Sequence, residues 1–235
     1  MLVCSQQKRA HLLKTDFNIV LSDIRIKCFH FLKILGVHID TALKWNVHCG
    51  QVISKLSSLV GLLYSVQRYL DKKSMELFYN SYVLTRIDYC LSVWGNVTQE
   101  QINQLECLQK KCARIILNAS YETPSTYLYS TLKWMNVTQR IIYVKSISVY
   151  KILNGLMPNH LKLLFTYTGD IPNVYNLRST NNQMLHVPKM DKEFTRGSLR
   201  YSGAHMWNKL PSQLRTEKSF KRFKVLLKQF VFEHV

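Results

Sequence analysis

Carboxylates are the first residues to weigh, because building a polynucleotide by two-metal chemistry requires several of them around ions held about 4 Å apart. Here Asp16, Asp23, Asp40, Asp71, Glu76, Asp88, Glu100, Glu106 and Glu122 are scattered, and the nearest thing to a pair is Asp191-x-Glu193. With Lys189, Lys192 and Arg196 beside it, that pair reads as a solvated mixture of charges rather than a metal site. Asp88 stands alone in an apolar helical pattern, where a hydrogen bond to Tyr89 or Arg86 accounts for it. The chain by itself is therefore expected not to polymerise nucleotides, with no catalytic residues, no metal ligands and no cofactor of its own.

Other chemistries find no better footing. The eight histidines (His11, His30, His38, His48, His160, His186, His205, His234) form neither a His-x-x-x-His nor a His-Glu pair. His48 and Cys49 are neighbours in sequence, but adjacent side chains diverge on a helix and rarely make a nucleophile and its base. The six cysteines contain no Cys-x-x-Cys, and Cys107 with Cys112 lacks the second ligand pair of a zinc module. They read as small buried hydrophobes in a reducing setting, intracellular and either nuclear or cytoplasmic. Gly61 and Gly95 are isolated, so no phosphate-cradling loop is present.

Cations are what the chain has in excess. Thirty-two Lys and Arg face fourteen acids, a formal charge of +18, and a body so charged repels itself unless a polyanion is near. RNA or DNA is the expected partner, since the charge runs along the whole chain instead of gathering beside one membrane-length segment. Lys72, Lys73, Lys110, Lys111 and Arg114 are candidate phosphate contacts in the middle of the chain. Arg196, Arg200, Lys209, Lys221, Arg222 and Lys224 are candidates in the tail, where Lys189 to Lys228 holds eleven Lys or Arg against Asp191, Glu193 and Glu217. Tyr69, Tyr201 and Trp207 would stack on unpaired bases if exposed, although tryptophans more often fill cores. No secretory signal and no run of about eighteen apolar residues is seen, so neither a spanning helix nor a membrane partner is expected.

The elements that must position these residues are mainly helical. With 47% hydrophobic residues the chain can bury a real core. Residues 1–44 favour strands: Leu12, Leu13, Phe17, Ile19 and Val20 lead into Ile24, Ile26, Cys28 and His30, and Phe31 to Ile39 is interrupted at Gly36, as a tight bend or a close backbone approach would require. Two strands cannot stand alone in water, so they read as the edge of a sheet completed by absent members or by the helices. Over 45–165 helices dominate. The first carries Val52, Ile53, Leu56, Leu59, Val60, Leu63 and Val66, and Asp71 is placed to cap the next. Met75, Phe78, Tyr79, Tyr82, Val83, Leu84, Ile87, Cys90 and Trp94 predict one long helix with a broad buried face.

Thr98 to Gln101 is a capping box, Thr123-Pro124 opens a short helix, and a helix from Thr138 ends at Asn154-Gly155. Over 166–235 an irregular connector from Tyr167 to Arg200 precedes short helices at Ser202–Pro211 and Ser219–Phe232.

Seven segments carry a family resemblance. They are Phe31-Leu-Lys-Ile-Leu-Gly-Val-His-Ile-Asp40, Leu43-Lys-Trp-Asn46, Ile87-Asp-Tyr-Cys-Leu-Ser-Val-Trp-Gly95, Leu108-Gln-Lys-Lys-Cys-Ala-Arg-Ile-Ile116, Tyr150-Lys-Ile-Leu-Asn-Gly-Leu-Met-Pro158, Tyr175-Asn-Leu-Arg-Ser179 and Tyr201-Ser-Gly-Ala-His-Met-Trp-Asn-Lys-Leu-Pro211. In this order they resemble the C-terminal part of a non-LTR (LINE-type) retrotransposon reverse transcriptase, an RNA-directed DNA polymerase of a transposable element. The resemblance implies that residues 1–44 are a palm remnant, that 45–165 is a thumb-like bundle, and that a primer–template duplex is the ligand. It also implies that magnesium belongs to the family's catalytic palm, whose Tyr-x-Asp-Asp or Phe-x-Asp-Asp signature is absent here, as are fingers and an endonuclease. A palm and fingers domain from elsewhere is then a possible partner. A helical protein-interaction module, using Val66, Leu70, Leu77 or Leu163, and a gene remnant without function are the alternatives.

Overall fold

The computed structural model describes residues 19–21, 24–26, 29–171, 183–189 and 193–234, the first two stretches and 193–194 by their backbone alone. The strand pattern from Leu12 to Phe17, Cys4, Cys28, the Asp191–Glu193 pair and Tyr175–Ser179 lie outside what is described. The fold is mainly α, with two separate two-stranded antiparallel sheets, β1 (Ile19–Leu21) with β2 (Ile24–Ile26) and β3 (Phe31–Ile34) with β4 (Val37–Asp40). Two compact units emerge. One runs through Cys90 and includes Asn96–Leu128; the other holds Leu91–Gly95 and continues from Tyr129. The division expected at 44/45 and 165/166 differs from this. The β3–β4 hairpin joins the helices after it because β4 buries Val37 and His38 and packs on the first helix.

In the first unit, Leu35 (φ 46°) and Gly36 (φ 85°) are both left-handed, the two-residue turn whose twist suits a hairpin and whose second position favours glycine. Asp40 then shapes the exit. Its carboxylate accepts from the backbone N–H of Ala42 (3.0 Å), Lys44 (3.1 Å) and Trp45 (2.7 Å), and Trp45 enters α1 (Asn46–Val66) from a left-handed conformation. α1 buries His48, Cys49, Val52, Leu56 and Leu63 and packs against α5 (Gln99–Leu117) and β4. By length and composition α1 could cross a membrane, with mean hydropathy 1.2, which corrects the expectation that no segment qualifies. Its serines and glycines are nearly neutral on a hydropathy scale, and Lys55 is its single Lys, Arg, Asp or Glu.

The long helix expected from Asp71 to Trp94 is instead four pieces: α2 (Lys72–Phe78), a π-helical segment (Tyr79–Leu84), α3 (Thr85–Asp88) and α4 (Leu91–Trp94). Met75, Tyr79, Val83 and Ile87 are buried at steps of four. Four residues overshoot an α-helical turn of 3.6, and the wider π turn brings the row back to one face. Tyr82 consequently stands 54% exposed, and Phe78 is only partly covered. The helix breaks at Cys90 (φ 53°), where the chain passes from one unit to the other. Asp71 caps α2 through the Ser74 N–H (3.1 Å), and Thr98 with Gln101 forms the predicted capping box of α5.

In the second unit, α4 packs on α7 (Val137–Leu153), which Asn136 and Gln139 cap as a box, so the cap lies two residues before the expected Thr138. After α6 (Ser125–Leu132), α8 (Glu193–Arg196), α9 (Ala204–Lys209), α10 (Ser212–Thr216) and α11 (Phe220–His234) complete the helices. Val149, Tyr150 and Ile152 of α7 meet Trp207, Leu210, Phe223 and Leu227 in the core, with Tyr150 stacked on Phe223 at 4.1 Å. Gly203 is required for closeness: a Cβ there would lie 2.9 Å from Val149 Cγ2. The connector is stitched down by side chains. Asn208 Oδ1 accepts from Leu185 N–H (2.8 Å), Asn208 Nδ2 donates to Leu185 O (2.7 Å), and Trp207 Nε1 donates to Gln183 O (3.0 Å).

Candidate nucleic-acid interface

α11 presents the clearest basic stripe. Phe223, Leu227 and Val231 face the core, which turns Lys221, Lys224 and Lys228 outward at spacings of three and four. Lys224 and Lys151 each lie 5.2 Å from the Phe220 ring centre, and Lys228 lies 5.7 Å from that of Phe232, so aromatic faces steady the ammonium groups. Arg222 pairs with Glu217 at 3.3 Å. Lys228 was not among the predicted contacts, yet its i+4 spacing from Lys224 in an acid-poor helix was the available signal. Arg196, Arg200 and Lys209 are also exposed in this unit, on other elements.

In the first unit Lys72, Lys73 and Lys111 are exposed, with Lys72 3.9 Å from Glu76. Lys110 and Arg114 are half-buried. Arg114 is held: its guanidinium lies 5.2 Å from the Tyr121 ring centre, and Nη2 donates to Thr123 O at 3.4 Å. The proposed base-stacking residues divide similarly. Tyr69 is 78% exposed under Arg68 and available, whereas Trp207 is buried and Tyr201 half-buried.

A cavity of about 300 Å³ opens in the same unit between the hairpin, α1 and the π segment with α3. Lys55, Arg86, His38 and His48 supply its basic groups, and Gln51, Ser81, Thr85, Tyr82 and Tyr89 supply amide and hydroxyl groups. No carboxylate is among its lining residues. Tyr89 Oη donates to Leu35 O at 2.5 Å and ties the hairpin turn to the end of α3. His38 N–H donates to His48 Nδ1 at 3.4 Å, and the two rings lie 6.1 Å apart. Burial above all, then Lys33 and Lys55, lowers the His38 pKa; burial, then His38 and Lys55, lowers that of His48. Sequence spacing gave no signal for this site, because its lining comes from three separated stretches.

Reactive groups elsewhere are quiet. Burial pushes the Cys49 thiol up to about 11 and Cys112 to about 12, far from nucleophilic at neutral pH, while Cys107 is exposed, unlike the buried role expected of it. Lys145 is buried with its pKa lowered to about 8 by that burial, and its Nζ reaches Ser202 Oγ at 3.4 Å. Among the described residues no three of His, Cys, Asp or Glu come together as a metal site. Leu77 and Leu163 are exposed, and Val66 and Leu70 half-buried. Set against protein-family models, curated proteins and solved structures, the chain has no match in any of the three.

Proposed function

We propose that this chain binds nucleic acid, an RNA or DNA duplex of primer–template type, through exposed cations on its helices and without reading sequence, and that it does not polymerise by itself. In this reading it is a piece of a non-LTR retrotransposon reverse transcriptase lacking the catalytic palm. The supporting observation is the α11 stripe: Lys221, Lys224 and Lys228 point outward from a helix whose only described acid is Glu233 near its end. Each phosphate neutralised releases counterions, so affinity falls steeply with salt. Arg114, spent on Tyr121 and Thr123, is a structural staple in this reading and not a phosphate contact.

Gel-shift titration of a primer–template duplex at several salt concentrations tests it. Binding with a steep slope is expected, and replacing Lys221, Lys224 and Lys228 by alanine should lower that slope by about three. Absence of binding at low salt overturns the proposal. Nucleotide incorporation with magnesium would overturn the denial of catalysis. A second reading, a helical protein-interaction module, draws on β3, where Phe31, Leu32 and Ile34 are all exposed beside Leu35 at 85%. It predicts self-association or protein capture that salt does not weaken.

A further inference from the structure

The cavity of the first unit combines features that a solvated charged surface lacks. It is enclosed on three sides by separate elements, it has the volume of small-ligand sites, and its ionisable lining is wholly basic or phenolic. His38 is 7% exposed, and its Nδ1 is buried without a hydrogen-bond partner among the described residues. A native fold rarely leaves such a nitrogen empty-handed unless something else serves it.

Two imidazoles side by side first invite a metal. The hydrogen bonding argues against one. His48 Nδ1 accepts from the His38 N–H, which places the His48 proton on Nε2 and makes that nitrogen a donor instead of a ligand. One remaining imidazole, with no carboxylate or thiol in the lining, is far short of the three or four ligands a zinc site requires.

A lining whose charged side chains are Lys55 and Arg86, with no carboxylate among them, favours an anion instead. We propose that this cavity binds a phosphate monoester on a nucleoside-sized group, the dianion held between Lys55 and Arg86 near the imidazoles and the organic part against Tyr82 and Tyr89. The charges match: two basic side chains meet two negative charges, more than an internal phosphodiester carries. The size matches as well, since about 300 Å³ is the volume of a single-nucleotide site. Tyr82 and Tyr89 are 54% and 51% exposed; the Tyr82 ring is backed by Phe78 at 5.0 Å and Tyr89 is fixed by its hydroxyl to Leu35 O, so both are held in place at the cavity rim. Ser81 adds a hydroxyl group, whereas that of Thr85 is donated to Ser81 O (2.6 Å). The inference rests on the nucleic-acid reading only for the nucleoside part; the phosphate part follows from the lining.

Calorimetric titration of the full chain with adenosine 5′-monophosphate, adenosine and inorganic phosphate tests it. The monophosphate should bind at least about tenfold more tightly than adenosine, and the double variant Lys55→Glu, Arg86→Glu should weaken it at least about tenfold. Lys218→Glu, an exposed charge reversal remote in sequence, should leave affinity within about twofold. A shift of the His38 ring resonances on adding the monophosphate supplies a measurement independent of the variants. Equal binding of adenosine and its monophosphate, or full affinity in a folded double variant, overturns the proposal.

The same titration with 5′-phosphorylated and 5′-hydroxyl oligonucleotides identifies the source. Loss of a 5′-phosphate preference in the double variant assigns a strand end; no such preference, with the monophosphate still obeying the variant, assigns a free nucleotide. Failure of duplex binding through α11 would leave this result untouched, because none of the α11 lysines lines the cavity.

Discussion

In the unit built on α7, two polar side chains are spent on the protein's own backbone: Asn208 clasps both peptide groups of Leu185, and Arg215 donates to Asn208 O (3.0 Å) and Leu210 O (2.7 Å). In the unit built on α1, His38 and His48 line an open cavity with Lys55 and Arg86 at hand. Both units are rich in cations. The contrast shows that basic composition alone does not mark a binding site: what matters is whether polar side chains are consumed by the protein's own carbonyls or line a cavity. Within Tyr201–Pro211, Gly203, Trp207, Asn208 and Leu210 hold this unit's fold together by close packing and internal hydrogen bonds.

This contrast can be broken most forcefully at Trp207. Its side chain is 1% exposed, and Trp207→Ala should destabilise the α7 unit by about 3–5 kcal/mol in chemical denaturation while leaving monophosphate binding at the cavity unchanged. Next comes Lys145. Its folded pKa near 8 lies below the ordinary 10.5, so between those values the unfolded chain holds a proton that the folded one lacks. Stability should therefore rise with pH across that window, by on the order of 2–3 kcal/mol, and the cost of burying the charge is fully present below pH 8. Lys145→Met should remove the slope and raise stability at pH 7, as denaturant midpoints against pH would show.

Smaller effects sharpen the same comparison. Asn208→Ala strands both peptide groups of Leu185 and should cost about 1–3 kcal/mol, with hydrogen exchange at the Leu185 amide accelerated in step. Thr98→Ala removes the α5 cap and should cost about 1 kcal/mol, read as a shift in thermal midpoint. If Asn208→Ala proved neutral, the assignment of its amide to internal clasping would fail.

Local signals were legible in the chain, and distant ones were not. Asp71, Thr98–Gln101, Pro124 and Asn154–Gly155 marked helix ends because capping is decided within a few residues. The bend at Gly36 was legible for the same reason. The π segment escaped notice because strict four-residue spacing resembles ordinary amphipathicity until the overshoot is added up over several turns. The cap at Asn136 was passed over for Thr138, two residues on, although Asn136 with Gln139 satisfies the same box rule. The cavity was invisible for a different reason: Gly36 and His38, His48 to Lys55, and Ser81 to Tyr89 meet only after the hairpin has folded back on α1. Of the predicted cations, exposure alone could not be read from sequence, and Arg114 turned inward because Tyr121 and Thr123 follow the left-handed end of α5.

The break at Cys90 carries a consequence for how the chain can be inherited. Because Leu91–Gly95 lies with the later unit although its neighbours on both sides belong to the earlier one, Trp94, wholly buried, reaches its place from the middle of another module's sequence. A cut near residue 128 would strand that tryptophan on the wrong piece and leave an indole-sized hole beside α7. A transplant of the earlier stretch alone would carry residues 91–95 without the α7 on which α4 packs.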